Sequence, residues 1–227
     1  MRGTRQTPQA GDCAAVLLCL LAASAQAVIV DRIAVVVGDK VITESEIVDR
    51  IRLAAFQNHQ KADLNLNARR SAAEELIDQR LVEHEMDVGR YPRLDSAQRK
   101  ALVATYERAE HTDEAGLVKM LSSYGLSLAD LEQELGRQSD LLTFLNLRFR
   151  PAVQVTDQDI QKYFDTISSG ADKNLKKAQA GALNEVRDQI EQKLTAERAD
   201  REMDLWLQDQ RKRTRIEFLE KNLEAKP

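Results

Sequence analysis

Three histidines, His59, His84 and His111, are the side chains of this chain best suited to hold a metal or to move a proton near neutral pH. No two of them share a helix face at ligand spacing, and His84-Glu85 is only a fragment of the H-E-x-x-H zinc pattern. The spacing predicts no metal site. Glu74-Glu75, Glu83 and Glu85 are the carboxylates close enough to suggest paired acid–base work. They fall on the charged face of a predicted helix, where a solvated surface is the commoner outcome. No nucleophile elbow and no phosphate-cradling glycine pattern occurs, so no catalytic residue and no cofactor is expected. Lys173, Lys176, Lys177 and Arg211-Lys212-Arg213 are basic clusters with acids around them, in a chain of formal net charge -4. A nucleic-acid footprint requires a basic face, so no nucleic-acid partner is expected.

The two cysteines, Cys13 and Cys19, lie inside a segment that reads as a secretory signal peptide. Arg2 and Arg5 supply its positive start, and an uncharged apolar run over 13–23 is too short to span a bilayer. Ala25-Gln26-Ala27 is an A-x-A cleavage pattern, so residues 1–27 are expected to be removed after Ala27. Neither cysteine sits in a lipoprotein pattern. The expected mature chain then has no thiol, which excludes disulfides, thiol catalysis and cysteine-bound zinc. The expected location is the periplasm, with no stable membrane insertion after cleavage.

The elements that position the remaining residues are mostly helical. Only 4% of residues are aromatic, and nine Gly and four Pro are too few for a turn-rich sheet protein. With 43% hydrophobic residues the chain is also too apolar to remain disordered. Residues 28–37 (VIVDRIAVVV) and 40–42 predict a β-hairpin turning near Gly38. Thr43 and Glu46 form a capping-box pattern for a helix from about Glu44 to Gln57, with Ile47, Ile51 and Ala55 on its apolar stripe. A loop is predicted over 58–67. A second helix follows from about Ala68 to Val88, buried through Ala73, Leu76, Ile77, Leu81 and Val82 and capped by Gly89.

Asp95 with Gln98 caps a third helix, and a fourth runs from about Asp113 to Tyr124. Ser127 caps a fifth, with Leu131, Leu135, Leu142, Leu145 and Phe149 on its apolar side. Gly136 weakens it slightly and Pro151 ends it. Thr156 opens a sixth helix containing Tyr163 and Phe164. Residues 168–181 lack an apolar stripe and read as a linker or a frayed helix start. A long helix is predicted from about Ala182 to Lys212, striped by Val186, Ile190, Leu194, Ala199, Met203 and Trp206. Residues 214–219 alternate as a strand, with Ile216 and Phe218 on one face.

This order of elements resembles the SurA-type periplasmic foldases. The most specific part is residues 30–46 (VDRIAVVVGDKVITESE), similar to the family's opening strand, turn and capped helix. Residues 76–81 (LIDQRL), 125–131 (GLSLADL) and 155–164 (VTDQDIQKYF) resemble its later helix starts, the last leading in that family into a parvulin isomerase domain. Residues 205–211 (LWLQDQR) and 216–218 (IEF) resemble its closing helix and strand. A parvulin domain needs on the order of a hundred residues, and only 168–181 separates the sixth helix from the closing one. The resemblance therefore implies chaperone activity without isomerase activity.

The expected fold class is mainly α: a multi-helix SurA-like module with a small N-terminal β-hairpin joined by a C-terminal strand. Residues 1–27 are the signal, 28–167 the helical region, 168–181 the linker, and 182–227 the long helix and strand completing the same domain. The resemblance implies an ATP-independent holdase that binds unfolded or partly folded exported polypeptides, outer-membrane proteins among them. The alternatives are a degenerate prolyl isomerase and a helical adaptor, including a homodimer formed by exchange of the long closing helix.

A client surface needs flexible apolar side chains in a polar-rimmed groove. Phe56, Met86, Tyr91, Met120 and Tyr124 lie near predicted helix ends and loops and are the expected client-binding residues. Trp206, Met203 and Tyr163 are more often core.

Overall fold

The computed structural model describes residues 31–168 and 179–224; of Ser168 and residues 179–185 only the backbone is described. The expected signal peptide lies outside these residues, as do residues 28–30 of the first strand and 169–178 of the linker.

The chain is mainly helical, with a three-stranded antiparallel sheet. β1 (Ile33–Val37) turns through Gly38 into β2 (Lys40–Thr43). Gly38 has φ +61°, a left-handed conformation that costs glycine little. The helices follow as α1 (Glu44–Gln57), α2 (Leu66–Val88), α3 (Ser96–Ala109), α4 (Glu114–Ser123) and α5 (Leu128–Arg148). A 3₁₀ turn at Arg150–Ala152 carries Pro151, and then come α6 (Asp157–Ser168), α7 (Gln179–Arg213) and β3 (Ile216–Phe218).

Short-range chemistry fixes the helix starts. Thr43 and Glu46 bond reciprocally: the Thr43 amide donates to Glu46 Oε2 at 2.9 Å, and the Glu46 amide donates to Thr43 Oγ1 at 3.3 Å. Asp95 with Gln98 and Ser127 with Asp130 repeat the device. Thr156 does the same with Asp159, whose carboxyl is held well below the usual range by Arg198 and by the Thr156 amide and hydroxyl.

Three expectations need correction. α2 begins two residues before the expected Ala68, because Asn65 Oδ1 accepts from the Ala68 amide at 2.9 Å and caps the helix there. Gly89 caps α2 as expected, with φ -78°, and the left-handed residue is its neighbour Arg90. Both ends of the expected linker are helical, since α6 runs to Ser168 and α7 starts at Gln179. Leu142 is 61% exposed rather than inward. Asp140 and Phe144, which are buried, each lie two residues from Leu142. That is about 200° around a helix of 3.6 residues per turn, so burying them turns Leu142 outward.

The strand order is β2-β1-β3, with Val35 opposite Phe218 and Val37 opposite Ile216. The sheet, α1, α2, the C-terminal half of α5 and the C-terminal half of α7 share the largest core. Ala34, Val35, Ile42, Ile77 and Phe144 lie at its centre, and Leu223 seals it from beyond β3. A second core joins the end of α1 to α3, α4 and the start of α5 through Leu53, Phe56, Val103, Leu117, Leu121 and Leu131. A third, smaller one holds α6 against the N-terminal half of α7 through Ile160, Phe164, Ile190 and Leu194.

α7 thus serves two cores. At 35 residues it is about 52 Å long. Its far half is fixed to α2 by Arg211, which donates Nε to Asp78 Oδ1 at 2.6 Å and also pairs with Glu74. Those two acids raise the Arg211 pKa, the Asp78 bond most, against the opposing effect of burial.

Candidate functional site

α2, α5 and α7 converge on a cleft of about 350 Å³. Its apolar lining comes from Val82 and Met86 of α2, Leu141 of α5, and Met203 and Leu207 of α7. The spacing of Met203 and Leu207 places both on one face of α7. Met86 is the large, deeply buried element of this floor, Met203 is half-buried, and Leu141 is 37% exposed at the lip. Methionine side chains are unbranched and polarisable, so such a floor adapts to side chains of different shape.

The rim is charged and internally paired. Glu134 on α5 is 2% exposed. Its Oε1 accepts from Arg50 Nη1 of α1 at 2.6 Å and from Gln138 Nε2 at 2.8 Å, and its Oε2 pairs with Arg137. Burial raises the Glu134 pKa, but Arg137, Arg50 and Gln138 together bring it below the ordinary value. Arg50 also reaches Glu75 of α2 at 2.8 Å, which ties α1, α2 and α5 together. Burial lowers the Arg50 pKa, and these two acids bring it above the usual value.

Asp140, about one and two-thirds turns further along α5, is buried as well. It accepts from the Leu94 amide at 3.0 Å and from Arg99 Nη2 at 3.0 Å. Arg93 stands 3.8 Å away and bonds Asp87 at 2.7 Å. Arg99 reaches Asp140 across Gly136, where a β-carbon would lie 2.3 Å from its Nη1. The glycine that weakens α5 as a helix therefore leaves room for the ion pair at the cleft wall.

The five residues singled out in the sequence do not form one surface. Phe56 is buried, not exposed, and packs in the second core against Tyr106 and Tyr124, with ring centroids 5.9 and 5.6 Å away. Met120 and Tyr124 are half-buried around it. Tyr91 is half-buried in the largest core, edge-on to Phe144 at 5.0 Å. Met86 alone of the five lines the cleft. They do sit near helix ends, as the sequence suggested, but elements further along the chain cover two of them, α3 and the end of α4 over Phe56 and α5 against Tyr91.

Sequence reasoning missed Leu141, Leu207 and the Glu134–Arg50 and Asp140–Arg99 pairs. One signal was present: Glu134 stands three residues after Leu131, inside the apolar stripe of α5, where an unpaired carboxylate has no place. Trp206 and Met203 belong to the largest core, and Tyr163 to the α6–α7 core, where Lys193 Nζ lies 5.3 Å from its ring centroid. Among the described residues no group of three or more His, Cys, Asp and Glu is arranged to hold a metal. Among them, too, no helix is long and apolar enough to cross a membrane.

No protein-family model matches this chain, and no curated protein matches its sequence.

Proposed function

We propose that this protein is an ATP-independent holdase of the SurA type. It is exported to the periplasm and shields unfolded polypeptides, outer-membrane proteins among them. The observation that carries the reading is the cleft between α2, α5 and α7: an apolar, methionine-containing floor open to solvent inside a polar rim. A holdase needs such a surface, because unfolded chains expose apolar side chains of no fixed shape. Binding of this kind is reversible and needs no reacting group. The motif order quoted for residues 30–46, 76–81, 125–131, 155–164 and 205–218 supports the family likeness.

The test is suppression of aggregation. A urea-unfolded outer-membrane β-barrel protein is diluted into buffer with and without the purified protein, and light scattering is followed. Slower scattering at a few-fold molar excess is the expected result. Unchanged scattering at high excess counts against the holdase. Acceleration of proline isomerisation in a short peptide would instead favour an enzyme.

A further inference from the structure

The cleft carries information about which part of an unfolded chain it accepts. Its ionised side chains are charge-paired within the protein, and buried Arg137 Nε has no hydrogen-bond partner among the described residues. Arg50 bridges Glu75 and Glu134, Asp78 is held by Arg211, and Glu83 by Arg80 at 3.1 Å. The Glu134–Arg137 and Asp140–Arg99 pairs described above complete the rim. No charge on the wall is left over to receive a ligand charge of either sign. A charged side chain entering the cleft would lose its water without gaining a partner.

The dimensions restrict the ligand's conformation. The lining residues of α2 run from Glu75 to Met86, a length of about 16 Å at 1.5 Å per residue. At about 3.3 Å per residue, that accommodates roughly five residues of extended chain. A ligand helix uses its main-chain N–H groups internally and has none along its middle to donate to the walls.

The walls also carry side-chain acceptors for a ligand's main chain. Gln79 on α2 donates through Nε2 to Glu83 at 2.7 Å, and Gln138 on α5 donates to Glu134 at 2.8 Å. Both amides line the cleft, and neither amide oxygen accepts a hydrogen bond among the described residues. Two unused acceptors on facing helices suit the backbone N–H groups of an extended strand.

We infer that the cleft binds an extended, uncharged segment of about five residues. One large apolar side chain rests on the methionine floor, and its main-chain amides donate to Gln79 and Gln138. This rests on the holdase reading and specifies the segment it recognises.

The experiment measures fluorescence anisotropy with labelled peptides. The probes are an uncharged peptide with a central leucine, copies with lysine or glutamate in that place, a copy N-methylated on alternate backbone nitrogens, and a copy stapled as a helix. The uncharged extended peptide is expected to bind. Both charged copies bind roughly tenfold or more weakly, and the methylated and stapled copies also lose affinity. Leu141→Asp abolishes binding of the uncharged peptide. Gln138→Ala narrows the gap between the plain and methylated copies.

Equal binding of the charged copies, or tighter binding of the helical one, overturns the inference. If no peptide binds while aggregation is still suppressed, the inference fails and the holdase reading stands. If neither occurs, both fail.

Discussion

The guanidinium of Arg99 lies across Gly136, so close that a β-carbon there would stand 2.3 Å from Nη1. In an exposed helix, glycine to alanine gains about 1 kcal/mol. Here the methyl forces Arg99 away from buried Asp140. Gly136→Ala is expected to lower stability by about 1–3 kcal/mol, the cost of a buried polar group left short of a partner. A urea titration checks this through a lower midpoint at unchanged slope. In an Arg99→Ala background the same substitution should be nearly neutral or stabilising. An equal loss in both backgrounds would dismiss the mechanism.

Acid should act through Glu134. Its pKa is lower folded than unfolded, so its contribution is fully present above the unfolded value of about 4.3 and is lost as pH falls through the folded value. Stability should therefore fall as pH drops below about 4.3. Glu134→Gln leaves Arg50 and Arg137 short of a carboxylate and should cost about 3 kcal/mol at neutral pH. The gap between the two proteins should narrow as pH falls below about 4.3 and through the folded value, and chemical denaturation across pH measures it. A constant gap would assign the acid sensitivity to other carboxylates.

Function and stability should separate at the cleft. Leu141 is exposed enough that Leu141→Asp leaves its charge hydrated in the free protein, changing stability by no more than about 0.5 kcal/mol. With a client bound, that charge is desolvated. Aggregation suppression should be lost while the denaturation midpoint holds. Phe56→Ala differs, because it opens a cavity in the second core and should cost about 3–5 kcal/mol. A protein in which Leu141→Asp suppresses aggregation normally does not use this cleft.

The α6–α7 core should open separately from the rest. Among the described residues, Phe164 belongs to the small cluster with Ile160, Ile190 and Leu194. Phe164→Ala should cost that unit about 3 kcal/mol. Hydrogen exchange should speed up in α6 and the N-terminal half of α7, while amides of α2 and α5 keep their protection. Uniform acceleration would mean that the three cores unfold as one.

What was legible in the sequence was local. The caps at Thr43, Asp95, Ser127 and Thr156 each involve a residue three positions on, so the pattern and the bond coincide. The hairpin at Gly38 and the alternation around Ile216 are equally short in range. The cleft depends on groups far apart in the chain, such as Arg50 with Glu134 and Asp78 with Arg211. Helical periodicity shows which side of α5 is apolar, but it cannot show that the inward face admits two carboxylates. Gly136 had a visible cost and no visible reason until Arg99 was seen above it. Phe56 looked accessible at the end of α1 because nothing local to it indicates that α3 and α4 close over it.

β1 lies between its two neighbours in the sheet, and one of them is Ile216–Phe218. A ribosome delivers β1 and β2 well before β3, because α1 to α7 lie between them in the chain. A two-stranded hairpin is marginal by itself, so Val35 and Val37 have no finished sheet until β3 has followed. Joining strands so distant is slow relative to local helix formation. The topology thus acts as a timing device, fastening the sheet only after the helices between its strands have been made.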